Sequence, residues 1–96
     1  MEQIRPLKKQ FNGTGEVEGY KFTQIKAAKY AFLYEVDSGN GKHYEVFKKR
    51  VNRRYATITY PSAKAFGIYA WTCMSLDKAI EKFNDINIPT EKRVNN

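Results

Sequence analysis

Two residue types that build many catalytic and metal sites are almost missing. The 96-residue chain holds one cysteine, Cys73, and one histidine, His43. A lone cysteine excludes a disulfide within the chain, and a Cys/His zinc site needs more ligands of those types. No run of apolar residues approaches the roughly 20 that a membrane span requires. The start, MEQIRPLKKQ, carries no apolar stretch of the secretory kind. These absences point to a reducing, intracellular, cytoplasmic setting, or to a virion if the chain is phage-encoded. Paired carboxylates in apolar surroundings are missing too, so acid/base hydrolysis has no candidate. Neither an enzyme nor a bound metal or cofactor is expected.

What is present is aromatic and basic. Seven Tyr, six Phe and one Trp make up 15 % of the chain. Large rings let a small domain bury much area with few residues. The apolar share, 42 %, suits one globular domain with one core. The net charge is +7 and unevenly spread. Residues 42–55 hold Lys42, Lys48, Lys49, Arg50, Arg53 and Arg54 against Glu45, a net +5. Such a patch attracts phosphate-rich or acidic partners.

Along the chain, residues 1–15 (Pro6, then NGTG) keep no period of 2 or 3.6 and read as a flexible basic tail, with a short edge strand around Ile4 to Leu7 as the alternative. From Glu16 the pattern alternates. Val17, Tyr20, Phe22 and Ile25 mark a strand over 17–25. In the next strand Tyr30, Phe32, Tyr34 and Val36 share one face; Lys29, Ala31, Leu33 and Glu35 share the other. DSGNGK predicts a hairpin turn. A backbone anion nest over Gly39–Lys42 is the competing reading. HYEVFKKRV returns as the partner strand, NRR breaks it, and YATITY is a short strand ended by Pro61. IYAWTCM, residues 68–74, is a further strand, with Trp71 directed toward the helix.

The helix has a full set of signals. Ser75 is the N-cap, Leu76, Ala79, Ile80, Phe83 and Ile86 form the apolar stripe, and Asp77 sits in the first turn. Pro89 stops continuation. Ser75 and Lys78 also match S-x-x-K, but the capping role explains the serine. The expected fold is α+β: an antiparallel sheet of three to five strands packed on one C-terminal helix, about residues 75–87. One domain spans 16–88, with a frayed end over 89–96. The helix stripe is expected to meet the aromatic Tyr30/Phe32/Tyr34 face.

The register near Phe47 is open at this stage. Tyr44 and Val46 could face the core, and then Lys48 and Arg50 continue along that face. Alternatively Phe47 and Val51 face inward, with Lys49 between them. A bulge near Phe47 would reconcile the two. Either way some cations share a surface with exposed rings, a combination that neutralises phosphates and stacks on bases. The competing role for edge cations is to block strand-to-strand aggregation.

The stretch AFGIYAWTCMSLDKAIEKFNDI resembles the strand-to-helix end of certain plant DNA-binding domains and of the arm-binding domains of some tyrosine integrases. Phe66-Gly67, Ser75-Leu76, Ala79 and Phe83 carry the likeness, over about a quarter of the chain. It implies a sheet packed on one helix, with the sheet reading the DNA major groove. The expected function is a small, basic, non-enzymatic nucleic-acid-binding domain for DNA or RNA. Arg50, Arg53 and Arg54 would contact phosphate or bases, Lys48 and Lys49 would add field, Lys42 would belong to the same binding set, and Tyr55 would stack. The alternative is a protein-binding module of phage or mobile-element type (an inhibitor, virion or assembly component). It would use the same patch, or a sheet edge, on an acidic protein.

Overall fold

The computed structural model describes residues 4–89. Its strands are β1 (Gln10–Asn12), β2 (Lys21–Ala27), β3 (Ala31–Asp37), β4 (Lys42–Lys48), β5 (Val51–Asn52), β6 (Thr57–Ile58) and β7 (Ala70–Cys73), followed by helix α1 (Leu76–Ile86). Five strands form one antiparallel sheet in the order β1-β2-β3-β4-β7, with α1 packed against it, so the fold is α+β. Strands β5 and β6 form a separate two-stranded ribbon between β4 and β7, with Arg5 bridged to Thr57 at its side.

The hairpin between β3 and β4 forms as its composition predicts. Gly39 adopts φ of +91°, a region open to glycine. Asp37 Oδ1 accepts from Gly39 N–H, and Ser38 Oγ accepts from Asn40 N–H. Those donors are thus engaged within the turn, and the anion-nest reading loses its groups. Ser75 caps the helix as expected, accepting from Lys78 N–H at 3.2 Å.

The helix meets the other face of the sheet from the one expected. Ala79, Phe83 and Ile86 pack with Ala31, Leu33 and Val46, and with partly buried Tyr44 and Trp71. The reason is that both faces are apolar: Ala31, Phe32, Leu33 and Tyr34 are all buried, and neighbouring Val46 and Phe47 are each 0 % exposed on opposite sides. The small Ala31/Leu33 side leaves room for a helix. The Phe32/Tyr34/Phe47 side is filled by rings. Val46 and Phe47 are therefore both core, on opposite faces, whereas Val51, the other residue expected inward, is 39 % exposed. The ladder needs no bulge at Phe47; the irregularity lies in β2, between Gln24 and Lys26.

The ring-rich face is covered by segments read as tail, short strand and loop. Phe22, Phe32, Tyr34, Val36 and Phe47 pack with Leu7, Phe11, Ile58, Tyr60 and Phe66. Phe11 stacks on Phe22 with centroids 4.7 Å apart, and Tyr60 meets the rings of Phe11, Phe22, Tyr34 and Phe47 edge-on. Such pairs add about 0.5–1.5 kcal/mol each beyond burial. Residues 4–12 are therefore built into the domain. Tyr34 Oη donates to Lys8 O at 2.6 Å, and Arg5 pairs with Thr57 beside the ribbon. The alternation over 17–25 also breaks: residues 15–17 form a 3-10 turn, and β2 begins at Lys21. Residues 90–96, most of the segment expected to fray, lie outside the described residues, as do residues 1–3.

If Phe11 belongs to the core, Phe11→Ala should lower stability in urea denaturation by about 2–3 kcal/mol. A side chain on a solvated tail would change it by no more than about 0.5 kcal/mol.

Candidate nucleic-acid interface

The end of β4 and the loop after it hold the basic cluster. A groove of 680 Å³ is lined by Lys48, Lys49, Arg50, Val51 and Arg53 on one side, and by Ile68, Tyr69 and Trp71 on the other. Pairing of β4 with β7 brings the two stretches together: Val46 faces Trp71, and Lys48 N–H donates to Tyr69 O at 2.9 Å. The Arg50 guanidinium lies 4.3 Å from the Tyr69 ring centre, and Lys82 Nζ lies 4.6 Å from that of Trp71. Ile68 is 74 % exposed at this border.

The proposed contact residues divide into three groups. Lys49, Arg50 and Arg53 line the groove and are exposed. Arg54 and Tyr55 lie in the turn of the β5–β6 ribbon, with Arg54 5.7 Å from the exposed Tyr55 ring. Arg5 Nη2 donates to Tyr55 O, so a third arginine joins that turn. Lys42 lies elsewhere. It begins β4, about 20 Å from Lys48 at strand rise, and sits 3.7 Å from Glu35.

Lys48 has a structural task as well. Its Nζ donates to Ile86 O at 2.9 Å and Ile88 O at 3.0 Å. These carbonyls lie at the C-terminal end of α1, where backbone acceptors lack partners within the helix and a cation suits the dipole. Asn87 Oδ1 accepts from Tyr30 N–H beside them, so the helix end is tied to the β2–β3 turn and to β4.

The sequence reading missed Tyr69, Trp71 and Lys82 as walls and flank of the groove. Their partners lie about twenty residues or more away in chain order in the case of β4, and no local spacing announces them. It also passed over a second polar cluster, on the ring-rich face. Tyr60 Oη donates to Glu45 Oε1 at 2.6 Å, and His43 Nε2 lies 3.0 Å from Glu45 Oε2. His43 and Glu45 share a face at i and i+2, a signal that was readable. Burial, and then the negative charge of Glu45, raise the Tyr60 phenol well above its ordinary value; burial also raises Tyr34, against a hydrogen bond from Gln24.

Among the described residues no three His, Cys, Asp or Glu side chains gather to hold a metal, and no helix is long and apolar enough to cross a membrane. The sheet face opposite the helix, which the likeness to DNA-reading sheets would place in a groove, is covered by Phe11, Tyr60 and Phe66. Comparisons with family models, with curated proteins and with solved structures returned no match.

Two outcomes follow from these contacts. Lys48→Ala should cost about 1–2 kcal/mol of stability through the lost helix-end bonds, measured by chemical denaturation, whereas Arg53→Ala should leave stability within about 0.5 kcal/mol. Raised phenols keep their protons in the folded state while the unfolded chain loses them near pH 10.0. Their stabilisation is full below that pH and falls above it, by about 1.4 kcal/mol per pH unit per tyrosine. Tyr60→Phe should make the alkaline decline in urea-measured stability shallower.

Proposed function

We propose that the chain is a small, basic, non-enzymatic nucleic-acid-binding domain that uses the groove between the end of β4 and β7. One observation carries the reading: Lys49, Arg50 and Arg53 share a single groove with Tyr69, Trp71 and the exposed Ile68. Cations neutralise phosphates and release counterions, and rings accept bases on their faces. A base entering the groove would displace Arg50 from Tyr69, freeing the guanidinium for a phosphate. The turn with Arg53, Arg54 and Tyr55, joined by Arg5, extends the same positive surface. The contacts are to backbone and ring faces, so sequence preference is weak.

The reading drops one residue from the sequence expectation, Lys42, and gives Lys48 a structural task beside the expected one. Lys42 is left out, because it sits at the opposite end of β4 beside Glu35. Lys48 contributes field while its ammonium holds the helix end.

Fluorescence anisotropy with single-stranded DNA, single-stranded RNA and duplex across a salt series tests this. Affinity should fall linearly in log–log form, and Arg50→Ala or Arg53→Ala should each reduce the slope by about 0.7–0.9. Lys42→Ala should leave the slope unchanged. No binding at about 50 mM salt, where phosphate contacts are strongest, would reject the reading and leave an acidic protein as the partner of the patch.

A further inference from the structure

A second concavity, on the ring-rich face, has the opposite character from the basic groove. It is an open depression of about 710 Å³ whose lining includes Phe11, Phe22, Tyr60, Phe66, Glu45 and Glu16. That volume falls in the range of small-molecule sites. No lysine or arginine lines it, although the chain carries 17 of them and a net charge of +7. Only carboxylates supply formal charge there.

The Glu45 carboxylate is one of the two acids that line this cavity. Its side chain is 15 % exposed. Among the described residues, its side-chain partners are Tyr60 Oη and His43 Nε2, and neither is a lysine or arginine. A carboxylate offers about four acceptor positions, so two contacts leave capacity for a further donor. Tyr60, whose phenol keeps its proton, brings a ring and no charge. Tyr60 contacts the acid directly through its hydroxyl, and the Phe11 and Phe22 rings line the same cavity, packed edge-on against Tyr60. The opening is kept by a tight turn: a Cβ on Gly13 would collide with the Val17 carbonyl, so glycine is needed for the chain to fold back there.

We propose that this cavity binds a small organic cation, an ammonium or guanidinium group on an apolar stem. The charged head would donate to Glu45 and lie against the rings, and the stem would fill the Phe22/Phe66 side. Carboxylate plus ring faces favours a cation over an anion, and over a neutral molecule of the same shape.

The test is an NMR titration of the full ¹⁵N-labelled chain at neutral pH with phenethylammonium and with its uncharged counterpart, 2-phenylethanol. Amides of residues 11–17, 45 and 60–66 should shift with the ammonium, which should bind about tenfold more tightly than the alcohol. Glu45→Gln should cut the ammonium preference from about tenfold to about two- to threefold, the share left to Glu16 and the rings. Glu16→Gln, an exposed change, should weaken the ammonium by about two- to threefold. Should Glu45→Gln fail to fold, Phe66→Ala removes one wall and leaves the Glu45 contacts in place; it should lower ammonium affinity. Equal affinity for both probes, shifts confined to other residues, or no shifts up to about 10 mM ligand would each overturn the proposal.

Discussion

Strands β3 and β4 present apolar side chains on both faces, and one eleven-residue helix can cover only one of them. The other face must be closed by whatever chain remains. That duty falls on Leu7 and Phe11 before the sheet, and on Ile58, Tyr60 and Phe66 within the long connection from β4 to β7. Tyr60 is the pivot of this cover. Its ring touches four other rings, and its hydroxyl is anchored by Glu45. The β5–β6 ribbon and the basic loop exist as part of the path that delivers Tyr60 to its place.

The same constraint separates charge across the molecule. The ring-rich face carries Glu45 and Glu16 around its cavity, with cations excluded from the lining. The β4–β7 end carries Lys49, Arg50 and Arg53. Cations that follow Phe47 cannot enter either core layer without a partner. Lys48 meets carbonyls at the helix end, and Arg50 lies on Tyr69. Exposed cations and ring faces thus meet at one end of the sheet, and the nucleic-acid reading rests on that meeting.

Much of the fold was legible. Helix α1, its Ser75 cap, the β3–β4 hairpin and the direction of Trp71 followed from period, capping and turn chemistry. The cluster of Lys49, Arg50 and Arg53 was visible as charge density. The face that meets the helix was misjudged because the aromatic side of β3 was taken as its natural partner. The other side, Ala31 and Leu33, is 0 % exposed and sits under the helix. Phe11 could not be assigned because its partners, Phe22 and Tyr60, lie 11 and 49 positions away, and three residues of strand carry no period of their own. Tyr69 and Lys82 entered the site through strand pairing and helix packing, neither of which leaves a local mark. Lys42 was included for nearness in sequence, and strand length removed it.

A sheet with one wet face is self-indexing, since a one-residue slip would turn its apolar set into water. Here that safeguard is weak between β3 and β4, where Phe32, Leu33, Val46 and Phe47 would remain covered after a slip. The alignment must be set by something other than oil and water. The 38–41 turn supplies it, because Asp37 and Ser38 bind its amides in only one spacing. The Tyr60–Glu45–His43 contacts then check it from the connection that follows β4. A few polar atoms thereby act as the index marks of an otherwise ambiguous apolar ladder. Changes at Asp37 or Ser38 would accordingly disturb which structure forms more than how tightly it is packed.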